Sequence, residues 1–253
     1  MDDLHLQLLS DLHKDAARQG PGSDAETRLA IRLSGLKAGT GLKIADIGCG
    51  TGAPTRVLAR ELDAQITAID FLPEFLARLE RAARKSGLAS RIETMAISMD
   101  ALPFADGELD AIWSEGAIYN LGFETGVRQW RRFLKPGGIL AVSEITWLTD
   151  RRPRELESHW QREYPQIDTA PAKMKILQDE GYTLIGYFVL PEHCWLENYY
   201  RPLGDRLDAF VEAHDNSDAA KAIAAAERIE ISLYERYRDY YSYGFYIARK
   251  TGD

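Results

Sequence analysis

Basic charge is the scarcer sign in this chain of 253 residues: 31 lysines and arginines stand against 39 aspartates and glutamates, a formal net charge of −8. A protein that holds a phosphate backbone needs a basic face, so the balance argues against a nucleic-acid partner. The short runs "QWRRFLK" and "TDRRPR" read as solvated helix faces. Cysteine is rare, with two in the chain. Cys49 and Cys194 stand at neither a disulfide nor a metal-ligand spacing, which suits a reducing, cytoplasmic setting. The five histidines are scattered without carboxylate clustering, so no metal is expected. No apolar run approaches the roughly 18 residues of a membrane span. The opening "MDDLHLQLLSDLHKD" is acidic and amphipathic, unlike the basic start and apolar centre of a signal peptide. The expectation is a cytoplasmic protein, monomeric or homodimeric, that binds neither membrane nor nucleic acid.

What the chain does have is an alternation of strand and helix signals. Leu4, Leu8 and Leu12 predict an amphipathic helix over residues 3–17, and Ser23 or Asp24 caps a second helix through about Leu36. Strands follow at 42–47, "QITAID", "RIETMAIS", "LDAIWS" and "ILAVSEI". Helices intervene at 54–62, from Pro73, and from Phe123 to a stop at "KPGG". Strands separated by ten to fifteen helical residues indicate βαβ units and a doubly wound, mostly parallel α/β sheet, with ligands at the carboxyl ends of its strands. Beyond residue 150 come two helices, a sixth strand "YTLIGYFVL", a helical stretch over about 196–240 and a last strand "YYSYGFYIARK". The whole of 1–253 reads as one domain. Residues 1–36 form an amino-terminal helical cap, 37–150 the cofactor-binding core, and 151–253 the substrate-side helices with the last two strands.

The stretch "IADIGCGTGAPT" carries the cofactor signal. Gly48, Gly50 and Gly52 alternate after an apolar run, where backbone must approach a ligand. Asp70 closes the next strand some twenty residues on, placed to bind ribose hydroxyls. Gly48-x-Gly50-x-x-Ala53 also satisfies the permissive dinucleotide pattern, and both nicotinamide dinucleotides and S-adenosylmethionine contain the ribose. Four features favour the sulfonium cofactor: Asp46 two residues before Gly48, "SMDALPF" after the third strand, the turn "FLKPGGIL", and the lack of a second nucleotide-binding half.

Taken together, "DIGCGTG", "ITAIDF", "SMDALPF", "WSEGAIYNLGF" and "LKPGG" resemble class I, Rossmann-like S-adenosylmethionine-dependent methyltransferases. The likeness runs from about Gly20 to Leu148. It implies a seven-stranded sheet whose last strand, "YGFYIARK", is antiparallel beside the fifth. It also implies methyl transfer from S-adenosyl-L-methionine, with S-adenosyl-L-homocysteine as product. By this resemblance Gly48, Gly50 and Gly52 contact the methionine and ribose, and Asp46 sits near the amino group. Asp70 holds the ribose, Phe71 or Leu72 covers the adenine, and Asp100 with the Ala101 amide meets its edge. Glu115 lies near the sulfonium, and Ser23 in "GPGS" closes over the methionine end.

For the acceptor the readings are negative first. "SEGA" replaces the Asn/Asp-Pro-Pro-aromatic motif of amino-methylating DNA enzymes, and no Pro-Cys nucleophile marks a pyrimidine methylase. A small-molecule N, O or S nucleophile remains. Protein methylation and a non-catalytic cofactor-binding module are the alternatives. Pocket candidates are Tyr119 and Asn120 after the fourth strand, Trp147 after the fifth, and Trp195, Tyr199 and Tyr200 in "PEHCWLENYY". Such aromatics, mixed with carboxylates including Glu192, suit an amine or other cationic acceptor. Glu115, Tyr119, Glu144 and His193 are the candidates for catalysis. The region from "SEITWLTDRRP" to "LPEHCWLENYY" further resembles a little-described branch of bacterial and archaeal methyltransferases and implies a dedicated substrate cap.

Overall fold

The five-residue strand β1 (Lys43–Ile47) shows why the sheet forms where it does. Every residue after Lys43 is buried, as expected of a parallel strand covered by helices on both faces. β1 pairs in parallel with β2 (Gln65–Asp70) on one side and β4 (Leu109–Glu115) on the other. β3 (Ile92–Ala96) extends the β2 edge, and β5 (Leu134–Trp147) extends beyond β4. The last long strand, β8 (Tyr241–Lys250), is inserted antiparallel between β5 and β7 (Tyr182–Val189). The order is therefore β3-β2-β1-β4-β5-β8-β7, with a two-residue strand β6 (Asp168–Thr169) beside the end of β5. This is the expected seven-stranded sheet with an antiparallel last strand. The computed structural model describes residues 3–39 and 41–252.

Alternate side chains of each strand feed two cores. Ile44, Trp113, Ala141 and Phe245 face one layer, while Ala45, Ile112, Val142 and Tyr246 face the other. The first layer includes α2 (Asp24–Ser34) and α3 (Ala53–Leu62). The second includes α5 (Phe123–Trp130) and α7 (Ala170–Asp179). α4 (Pro73–Lys85) packs Leu76 and Leu79 near Ala68 of β2. Because β2 and β4 flank β1 on opposite sides, the chain reverses direction of travel at β1. The crevice at its carboxyl end is the place where such sheets bind ligands.

Three expectations need correction. The first helix, α1 (Asp3–His13), ends four residues early. Leu8 and Leu12 enter the core, whereas Leu4 is 59% exposed. "KPGG" does not lie between helix and strand but inside β5, as a register shift between Leu109 and Ala111, because two glycines let the strand bulge rather than stop. The helical stretch expected over about 196–240 is divided in the structure. It starts earlier, with α8 (Glu192–Trp195) and a π-helical turn at Leu196–Tyr200. α9 (Arg201–Ala213) continues directly, and Asp215 and Asn216 at positive φ then break the chain before α10 (Asp218–Tyr237). With α1 and α6 (Arg154–Glu163), these helices cover the carboxyl ends of the strands. Trp195 is their hub, stacked on Tyr234 at 4.5 Å between centroids and edge-on to Tyr243 at 4.8 Å.

Candidate functional site

The glycine loop is built from its backbone outward. Gly48 and Cys49 both donate their amides to the carbonyl of Ile69, at 2.8 and 2.9 Å, which ties the loop to the end of β2. Gly48 has φ 72°, and a Cβ there would stand 2.2 Å from that of Ala117, so only glycine fits. Gly52 begins α3 at φ 79°, and its missing side chain makes room for Leu79, not for a ligand. Asp70 Oδ2 accepts from the Gly50 amide at 2.8 Å, and its Oδ1 accepts from the Leu72 amide at 3.0 Å. Burial raises its pKa, opposed by these amide donors.

A second layer comes from the segment before α2. Gln19 Oε1 accepts from the Thr51 amide at 2.8 Å, which docks the segment on the glycine loop. Arg18 pairs with Glu115 at 3.2 Å and with Asp24 at 3.1 Å. Glu115 is further held by Thr27, whose hydroxyl donates at 2.7 Å, and by the indole N–H of Trp113 at 2.9 Å. One carboxylate at the end of β4 thus anchors the amino-terminal segment over the crevice.

These layers enclose one continuous cavity of about 780 Å³, within the range of roughly 300–1,000 Å³ typical of small-molecule sites. At one end it is lined by Asp70, Phe71, Leu72 and Asp100, with Ile97 and Met99. Gly48, Gly50 and Glu115 line its middle, and Tyr119, Asn120, Trp195 and Tyr199 line the other end. The sequence therefore located most of both halves.

Nine of the expected residues lie outside the cavity lining, among them Glu192, paired with Arg238 at 3.3 Å, and Tyr200, which donates to Glu230 at 2.7 Å. Ser23 caps α2, accepting from the Ala25 amide at 3.1 Å and donating to Glu26. Asp46 is 1% exposed and accepts from the Thr55 hydroxyl at 2.6 Å, behind the loop. Desolvation, reinforced by Glu115 and Asp70, raises its pKa to about 7. Gly52 packs as described, and the Ala101 amide is used in a turn to Ser98 at 3.1 Å. Glu144 is 1% exposed and paired with Lys173 at 3.3 Å. Its pKa is raised by burial against the pull of Lys173, and the lysine's is lowered by the same burial. Trp147 packs edge-on to Tyr241 beneath Arg152. His193 lies outside the cavity wall. Its Nε2, with Glu26 and the buried Cys194, forms a group of donor atoms within 4.8 Å of one another, a juxtaposition the sequence spacing did not reveal. The Cys194 thiol, pushed up to about 12 by burial and Glu26, stays protonated.

Sequence reasoning missed Arg18 and Gln19, which precede the glycine-proline turn, and the wall formed by Trp160, Glu163, Tyr164, Glu227, Glu230 and Tyr243. Two signals were available. Glu227 and Glu230 are three apart and share a helix face. Tyr243 lies at the start of an antiparallel strand, which places it at the carboxyl ends of the parallel ones.

The fold is Rossmann-like, with its crevice at the carboxyl ends of the parallel strands. Residues 45–142 match the family described as Methyltransferase domain. Among curated relatives, the methyltransferase GfsG of Streptomyces halstedii is 31% identical over 133 residues, 52% of this chain and 48% of that one. The chain spans about half or less of the length of the curated relatives it matches. An S-adenosylmethionine-dependent methyltransferase from Geobacter sulfurreducens, solved with S-adenosyl-L-homocysteine, superposes with a TM-score of 0.81 at 18% identity, over 96% of this chain and 97% of that one. The [4+2]-cyclase SpnF shares the fold at a TM-score of 0.78 and 23% identity, over 99% and 94% of the two chains. No helix among the described residues is long and apolar enough to cross a membrane.

Proposed function

We propose that the protein transfers a methyl group from S-adenosyl-L-methionine to a small-molecule acceptor, and that it works in the cytoplasm as a monomer or homodimer. The observation that carries this reading is the continuous cavity lined by Asp70 together with the aromatic side chains of Tyr119, Tyr199 and Tyr243. The residues present suit the cofactor. A strand-end carboxylate faces a slot walled by Leu72, Ile97 and Met99, a chemistry matched to a ribose diol beside a purine. Asp70 would hold the ribose hydroxyls, Asp100 would meet the adenine amino edge, and the Gly48–Gly50 backbone would carry the methionine portion. Arg18 and Gln19, rather than Ser23, would close over it. When bound, S-adenosylmethionine supplies an already activated methyl group.

The protein's task is then alignment and exclusion of water. Glu115 holds the covering segment shut. Tyr243, whose ring would meet a Cβ at Gly116 at 2.8 Å, walls the far side of the strand end and limits where a nucleophile can stand. A cavity of about 780 Å³ lined by aromatic side chains supports a small acceptor over a protein side chain. Calorimetric titration with S-adenosylmethionine, S-adenosylhomocysteine and NADH tests the reading. Micromolar binding of the sulfur compounds alone, weakened about a hundredfold by Asp70→Ala, is expected; binding of NADH alone overturns it.

A further inference from the structure

The acceptor end of the cavity has an unusual charge inventory. Glu163 comes from α6, and Glu227 and Glu230 come from α10. Facing them from the same wall is the imidazole of His13 of α1, whose Nε2 lies 3.8 Å from Glu227 Oε1. Glu230 accepts from the Tyr200 hydroxyl at 2.7 Å, a neutral donor that leaves its charge uncompensated. Among the described residues, Arg18 is the cavity's one lysine or arginine, and it is spent on Glu115 and Asp24.

Around these carboxylates stand aromatic faces. Tyr119 and Tyr164 meet edge-on at 6.0 Å, Tyr199 stacks with His13 at 6.4 Å, and Trp160 and Tyr243 complete the wall. Trp160 is 8% exposed, and its indole N–H has no hydrogen-bond partner in the structure. A buried unpartnered donor in a cavity wall is costly unless a ligand satisfies it. Burial raises the pKa of Tyr119, Tyr199 and Tyr243, so these phenols remain neutral and add no negative charge of their own.

Resting on the reading above, we propose that the acceptor is an organic amine, bound as a cation by Glu163, Glu227 and Glu230 within this aromatic wall. Carboxylates attract the charge and ring faces complement it, most strongly where water is excluded. Methyl transfer fits the same field. The ammonium first gives one proton to a carboxylate. The freed nitrogen lone pair then forms the N–C bond as the C–S bond breaks, its electron pair passing to sulfur. Positive charge thereby moves from the sulfonium to nitrogen, into the region where the carboxylates stand. The walls favour the later charge distribution over the earlier one, which is the condition for lowering the barrier. Glu230, raised to about 7 by burial and by Glu227, has a proton affinity suited to that first step.

The test is calorimetry on protein saturated with S-adenosylhomocysteine, using choline and its neutral isostere 3,3-dimethyl-1-butanol, then larger ammonium–isostere pairs carrying one aromatic ring. At least tenfold tighter binding of the cation within a pair is expected, falling below threefold in Glu227→Gln and Glu230→Gln. S-adenosylhomocysteine affinity and circular dichroism of both variants should match the parent. Equal binding of the two isosteres, preference for the neutral one, or no binding of any pair to the S-adenosylhomocysteine complex overturns the amine assignment while leaving the methyltransferase reading in place. Failure to bind S-adenosylhomocysteine at all sinks that reading first.

Discussion

Arg18 Nη1 lies 3.2 Å from Glu115 Oε2, although the two residues are 97 apart in sequence. Both side chains are largely buried, at 10% and 6% exposure. The pair fastens the amino-terminal segment to the end of β4, between the two halves of the cavity. Arg18→Met should therefore loosen the cover without removing a wall of the adenine slot. Its expected effect is an S-adenosylhomocysteine affinity lower by about tenfold, or 1.4 kcal/mol. Protease digestion should show faster cleavage before residue 24.

Gly48→Ala places a Cβ against Ala117 and forces an L-residue into positive φ. Two separate costs follow, and they can be resolved. Gly48→Ala should lower stability by about 2–4 kcal/mol in chemical denaturation, from overpacking and backbone strain combined. Adding Ala117→Gly should recover the steric part only. Full recovery would show that the backbone conformation there is unstrained.

Asp46 gives a pH signature. Its pKa in the fold is about 7, against roughly 3.9 in an unfolded chain. The native state therefore binds the proton more tightly. This group favours folding fully below its unfolded value, and that contribution is lost as pH rises through about 7. Asp46→Asn keeps an acceptor for Thr55 and removes the titration. The difference in melting temperature, variant minus parent, should grow more positive between pH 5 and pH 8, reaching a few degrees; about 2–4 °C corresponds to each kcal/mol in a chain of this size. An unchanging difference would place the carboxylate in contact with water.

Lys173 and Glu144 separate structural from chemical work. Lys173 is also held near the faces of Phe123 and Tyr164, at 4.7 and 5.5 Å. Lys173→Met leaves a buried carboxylate unpaired and should cost about 3–5 kcal/mol. The double variant Lys173→Met/Glu144→Leu should regain most of that, and methyl transfer at 25 °C should persist in it. A turnover loss exceeding a hundredfold in a folded double variant would return Glu144 to the list of catalytic groups.

The order of strands was readable because each buried parallel strand leaves a short apolar run, and each βα turn its glycine or proline. Asp70, Gly48 and Glu115 were readable for the same reason, since a strand's last residues point into the crevice by topology alone. The burial of Asp46 behind the glycine loop was not legible in the motif. The residue lies inside the strand, so alternation sends it away from the ligand and toward Thr55. The pairing of Glu144 was not legible either, because the cap segment brings Lys173 onto it from 29 positions away. The acidic acceptor wall was hidden for a different reason. Glu227 and Glu230 sit on a helix whose exposed face is also charged, and composition does not say which charges face inward.

The segment carrying α8, α9 and α10 leaves the sheet after Val189 and rejoins it at Tyr241, and Val189 stands opposite Gly244 in the register of β7 and β8. Everything between them is a closed excursion from a fixed pair of points. Lengthening such an excursion costs only slowly growing entropy, and the ladder beneath it does not register what the excursion contains. A lineage can therefore exchange this segment wholesale, taking on new acceptors while Asp70 and its glycine loop are inherited untouched. Tyr243, in β8 and edge-on to Trp195, belongs to both parts. It is the residue through which a changed cap must still negotiate with the old floor.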